Sequence, residues 1–258
     1  MKSVAGCAYI ALICCFVFVA APALAQDGLR SLKTVHLDVN YEGGVPEAEA
    51  RTIADYLQAD YEYLRKKLGI ELTKRLEVRV FDSGTRFLSE SKQRGKWRVA
   101  SHQHGVVHVL YMKERRESGS LERSLSFELA LALLDDAAAR GCPRWLRESF
   151  AVYHCGEMTN LSVPVGLKLS YFTDLDQNIQ QYPDPPQRND VHYVLGTTMR
   201  FLVDRYREEK ALGVFKSFDG TKSLEEVFKL VFGQEFVAIE RSWVEHIAST
   251  TEAFKERK

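Results

Sequence analysis

Apolar residues recur at three- and four-residue intervals between Glu47 and Leu68 (Ala50, Ile53, Ala54, Leu57, Tyr61, Leu64, Leu68), and Gly69 follows the last of them. That period puts them on one face of an amphipathic helix, and a glycine supplies the left-handed residue on which such a helix can end. On both sides of this segment the period shortens to two. Thr34 to Asn40 alternates apolar and polar residues, and Leu76 to Phe81 is apolar at 76, 78 and 80, so each predicts a strand. Glu42-Gly43-Gly44-Val45-Pro46 is a turn, and Ser83 to Arg94 reads as a short helix capped by Asp82 or Ser83. Trp97 to Met112 predicts one or two strands. His102, His104, Val106 and His108 are expected to share one face there, because strand side chains repeat every two residues.

The pattern changes again at Leu121. Through Ala139 the apolar positions Leu121, Leu125, Phe127, Leu129, Leu131, Ala132 and Leu134 cover most of a helix circumference, which predicts a buried helix. Gly141-Cys142-Pro143 ends it, and Pro143 opens a second helix from Arg144 to Cys155. Residues 157–190 are rich in Pro, Asn, Asp and Gln and read as a long surface segment with one short helix at 173–181. Helical patterns then fill 191–208, 210–218, 223–232 and 235–256. Strands mixed with helices, followed by helices alone, predict an α+β unit over 26–156, a long loop over 157–190 and a helical unit over 191–258.

Composition adds bounds. The chain has 258 residues, 45% of them hydrophobic, enough for one or two packed units. Lys and Arg (35) balance Asp and Glu (35), and this neutrality argues against nucleic acid as the main partner. Lys2, the apolar run Ala8 to Ala21 and Ala23-Leu24-Ala25 have the order of a signal peptide, with the mature chain expected from Gln26. The expectation is an exported protein, periplasmic or secreted, that meets a membrane only through residues 1–25. Cys7, Cys14 and Cys15 leave with that segment. Cys142 and Cys155 remain, either as one disulfide across the helix between them or as two buried thiols.

The candidate chemistry lies in Phe127-Glu128-Leu129-Ala130-Leu131 and, after the turn, in Trp145-Leu146-Arg147-Glu148. These segments resemble the active-site helix pair of peptidase MA-like domains, the gluzincin relatives of thermolysin-type and aminopeptidase-type zinc peptidases. There one helix carries H-E-x-x-H, whose histidines at i and i+4 share a face and reach one ion, and the next carries W-L-x-E-G-x-A-x-Y. The resemblance spans roughly residues 34–250 and implies a zincin-like fold: a small mixed sheet and the helix pair, then an all-helical C-terminal unit. It puts Glu128 at the general-base position, Glu148 at the third zinc-ligand position, and Trp145, Leu146, Ala151 and Tyr153 in the frame, with Ser149 in place of the usual Gly. Tyr193-Val194-Leu195-Gly196 is similar to the Y-x-x-G segment whose Tyr donates to the oxyanion, which makes Tyr193 the corresponding position.

The departures matter more. Phe127 and Leu131 stand where the histidines belong, and hydrocarbon offers zinc no lone pair. The resemblance therefore implies a pseudo-peptidase without its ancestral zinc or another cofactor. Glu128 and Tyr193 are then vestigial catalytic positions, and Glu148, Trp145 and His104 are candidate binding residues. A peptide or protein partner is expected in the former substrate cleft, along an edge strand within His102–Leu110. The alternatives are a hydrolase of metallopeptidase ancestry acting through Glu128 and Glu148 without zinc, or a metal site moved to His102, His104 and His108. Arg123, Arg144 and Arg147 are the local cations able to neutralise the two glutamates, and His154 and His192 can approach from other elements.

Overall fold

The computed structural model describes residues 28–92, 99–111, 120–138, 141–156, 172, 175 and 187–255. The predicted signal segment and most of 157–190 lie outside the described residues. The elements are β1 (Arg30–Lys33), β2 (Leu37–Tyr41), α1 (Glu47–Leu68), β3 (Leu76–Phe81), α2 (Gly84–Ser91), β4 (Ala100–Gln103), β5 (Val106–Leu110), α3 (Ser120–Ala138) and α4 (Arg144–His154). Four more helices follow: α5 (Gln187–Tyr206), α6 (Glu208–Ser217), α7 (Leu224–Phe232) and α8 (Phe236–Lys255). The described chain is thus α+β, one mixed sheet with a predominance of helix, as the patterning predicts. None of its helices is long and apolar enough to cross a membrane.

The sheet runs β1-β2-β3-β5-β4. β2, β3 and β5 are parallel, and β1 and β4 are antiparallel strands on its two edges. Register follows the apolar alternation. Leu37 pairs with Leu76 and Val39 with Val78, while Val78 pairs with Val107 and Val80 with Val109. One sheet face is therefore a continuous layer of buried Leu and Val, covered by α1 and α3. The opposite face carries Phe81 and His108, stacked at 5.9 Å, with Phe87 of α2 6.1 Å from Phe81.

The buried layer does not stop at the sheet. Trp145 of α4 stacks on Phe172 at 4.8 Å, and Phe172 also meets Trp243 of α8 at 4.7 Å and Phe236 at 5.8 Å. The Phe172 N–H donates to the buried Glu240 Oε1 at 2.7 Å. Phe172 and Leu175 are fully or almost fully buried helical positions. At those two points the segment predicted to be a surface loop is part of the core, because its aromatic ring fills the space between α4 and α8.

β4 and β5 form a hairpin whose two-residue loop is His104-Gly105, with φ of 52° and 77°. Two successive positive φ values belong to the type I′ turn that matches strand twist. This turn overturns the expected row of histidines. A two-residue loop pairs Ser101 with His108 and His102 with Val107, and paired residues point to the same face. His102 thus joins the apolar face beneath α3, His108 lies on the α2 face, and His104 is an exposed turn residue. The edge is also narrower than His102–Leu110: β4 is the outer strand, and β5 is enclosed between β3 and β4.

Candidate functional site

α3 packs directly over β4, and this contact fixes the setting of Glu128. The Leu110 N–H donates to Val99 O at 2.8 Å, so the alternation of the antiparallel ladder turns the His102 peptide away from β5. Its N–H donates to Glu128 Oε2 at 2.7 Å. Glu128 is 3% exposed, so the carboxylate of α3 caps the free edge of the sheet with a short charge-assisted hydrogen bond.

The two positions that flank Glu128 on the motif are apolar and packed. Phe127 is buried and stacks on His192 of α5 at 5.5 Å and 24°. Leu131 is half-buried against the core. Glu148 is 3% exposed, and its Oε1 accepts from Arg144 Nε at 2.7 Å, one helical turn back. Each glutamate is therefore held by its own partner, one by a strand N–H and one by a helix arginine. Ser149, buried where the resemblance expects glycine, donates its hydroxyl to Trp145 O at 2.7 Å. Tyr193 is buried, its hydroxyl makes no hydrogen bond among the described residues, and burial pushes its phenol above the ordinary value. At the positions that the resemblance gives to zinc ligands, Phe127 and Leu131 are hydrocarbon and offer no donor, while Glu128 Oε2 accepts from the backbone. Among the described residues, no three His, Cys, Asp or Glu side chains come together as a metal site.

Beside this cap is a pocket of about 290 Å³, lined by Leu72, Leu76, His102, His104, Ala132 and Asp135. His102 Nδ1 lies 3.3 Å from Asp135 Oδ2, and Asp135 is in turn gripped by Arg147 of α4. Burial holds the His102 imidazole below its ordinary pKa and outweighs the opposing pull of Glu128, so the contact with Asp135 is that of a neutral ring. Asp135 and Arg147 were not singled out as a pair by sequence. They sit on successive helices, and the signal that finds them is the inward side of α3 two turns after Glu128.

The cysteines are separate thiols. Cys142 Sγ is 3.8 Å from Pro143 O and Cys155 Sγ is 3.4 Å from Val152 O. The disulfide is ruled out by length: the 11-residue helix α4 between them spans about 16 Å at 1.5 Å per residue, against the roughly 7 Å between Cα atoms that a disulfide can bridge. His154 and His192 serve different neighbours, Asp60 of α1 and Phe127 of α3 respectively. Trp243 is fully buried as a packing residue. No family model matches the chain, and no curated protein matches it.

Proposed function

We propose that this chain is a peptidase MA-like body of gluzincin type that binds an extended polypeptide without cutting it, and that β4 is the docking edge. The observation that carries the reading is the hydrogen bond from His102 N–H to Glu128. A general base must face a water held for attack. Here the residue at that position caps a strand edge, between two apolar neighbours at the metal-ligand positions. The edge-strand topology supports the binding half of the reading. By ladder alternation the peptide groups of Ala100 and His102 point outward from β4, and extended chains pair with such groups. The pocket beside His102 offers an apolar floor of Leu72, Leu76 and Ala132 for a side chain of the incoming strand. The resemblance of residues 1–25 to a signal peptide supports action outside the cytoplasm.

An incoming strand competes with Glu128 for the His102 N–H. Replacing Glu128 by Ala is therefore expected to raise affinity for an unfolded polypeptide by up to about tenfold, the value of one hydrogen bond of ~1.4 kcal/mol. Fluorescence polarisation with labelled casein measures this, and gel electrophoresis of the same samples should show the casein intact. Chelator-sensitive fragmentation of casein by the unaltered protein, lost in Glu128→Ala, would contradict the proposal.

A further inference from the structure

A second pocket, of about 610 Å³, opens between α1, α3 and α4, with Tyr56, Asp60, Arg123, Ser126, Tyr153 and His154 among its lining residues. Its volume is in the range of small-molecule sites, roughly 300–1,000 Å³. It is distinct from the site already described. Ser126 and Glu128 are two residues apart on α3, hence about 200° apart around its axis, and they face different neighbours. Ser126 Oγ is 2.7 Å from the Tyr56 hydroxyl, on the α1 side.

The fixed part of this pocket is His154. Its side chain is 7% exposed and lies between two aromatic rings, Phe150 at 5.8 Å and Tyr63 at 5.8 Å. Nε2 is 3.0 Å and 3.3 Å from the two Asp60 oxygens. A carboxylate acceptor demands a proton on Nε2, so in the neutral ring Nδ1 carries the lone pair. Nδ1 makes no hydrogen bond among the described residues. A buried imidazole locked in orientation and tautomer by a carboxylate, with its second nitrogen unused, is arranged to accept from a hydroxyl.

The remaining charges point to the other half of a ligand. Lys67 is neutralised by Glu208 at 2.7 Å, Asp60 is engaged by His154, and Glu122 has a partner of its own. Arg123 is half-buried and makes no ion pair or hydrogen bond among the described residues. A guanidinium in that state is complemented by the paired oxygens of a carboxylate or phosphate. We propose that this pocket binds a small oxyanion that also carries a hydroxyl, such as hydrogenphosphate, a phosphate monoester or a hydroxy-carboxylate, with Arg123 taking the anionic oxygens and His154 Nδ1 accepting from the hydroxyl.

Titration calorimetry of the purified chain at about pH 7.5 tests this with sodium phosphate, sodium gluconate and glucose. Saturable binding of phosphate, gluconate or both is expected, and glucose should give none; which oxyanion binds separates phosphate ligands from hydroxy acids. Arg123→Gln and His154→Gln should each weaken binding by about tenfold or more, while Lys229→Gln, whose pairing with Glu235 lies outside the pocket, should leave it unchanged. Thermal melting checks that the variants fold, and if the buried His154→Gln does not, the half-exposed Arg123→Gln decides alone. Absence of saturable heat with both oxyanions, glucose binding as tightly as they do, or an affinity indifferent to Arg123→Gln would overturn the proposal.

Discussion

Glu128 is the residue on which sequence and structure meet. The proposed peptidase likeness is what would make i−1 and i+3 ligand positions, and its place between Phe127 and Leu131 is legible in the chain. Its actual partner is not, because the His102 N–H comes from a strand 26 residues earlier whose outward direction depends on hairpin register. Removing the carboxylate leaves a part-buried strand N–H without this acceptor, so Glu128→Ala should lower unfolding free energy by about 1 kcal/mol, and Glu128→Gln, which keeps an acceptor, by less. Urea denaturation of the two variants checks the order. The buried histidines make a pH prediction. Burial depresses both His102 and His108, aided at His108 by the charge of Arg79. A group that resists protonation when folded contributes stability above its unfolded pKa, near 6.5, and loses it as pH falls through the lower folded value. Glu42 acts oppositely: burial and then the neighbouring Asp82 side chain raise its pKa against the opposing Asp82 N–H bond, so its contribution is complete below the unfolded value of 4.5 and lost as pH rises through the folded one. As pH falls below about 6.5 the contribution of the histidines is lost. The melting temperature should fall as pH is lowered from 6.5, less steeply in His108→Gln.

Among the elements, long periodic segments were the easiest to read. Helix α1 and strand β3 have the bounds their patterns predict, and Ser83 caps α2 as expected, accepting from the Arg86 N–H at 3.5 Å. β1 was missed because Leu32 is the single apolar residue in Arg30–Lys33, and pairing to β2 alone orders it. The β4–β5 turn was missed because His104-Gly105 lacks the Asn or Asp that usually marks a type I′ loop. That same fact makes a prediction. A non-glycine residue at φ 52° is strained, and Asn tolerates this region better than His. His104→Asn should therefore raise stability by a few tenths of a kcal/mol, roughly 0.5, and Gly105→Ala should lower it by about 1 kcal/mol; chemical denaturation reads both. A gain of this kind at His104 identifies a turn residue first and a pocket-lining residue second. For α4, the separation of its flanking thiols means that the unaltered chain should melt at the same temperature with and without added reductant, and again so after mild oxidation.

At the scale of the whole molecule, the change from mixed elements to helices alone is visible in the sequence, but the joint between them is not. Phe172 sits in a stretch of prolines and polar residues, yet it is the ring on which Trp145, Phe236 and Trp243 converge. Composition alone assigns such a stretch to the surface, and only the aromatic spacing of α4 and α8 shows where one of its residues is needed. Truncating a fully buried aromatic typically costs about 3–5 kcal/mol, so Phe172→Ala should unfold the sheet and the C-terminal helices in one transition at lower denaturant. The described residues include a helix pair and an antiparallel edge strand, with hydrocarbon side chains at Phe127 and Leu131, where the proposed peptidase likeness would call for nitrogen donors. The most direct measurement is the metal content of the purified chain and of Phe127→His combined with Leu131→His, both dialysed against zinc-containing buffer and read by plasma mass spectrometry. The natural chain should retain well under one zinc per molecule and the paired-histidine variant about one, since Glu148 remains as a third donor. About one tightly held zinc in the natural chain would contradict the loss of the metal site, and none in the variant would contradict the peptidase-type arrangement of α3 and α4.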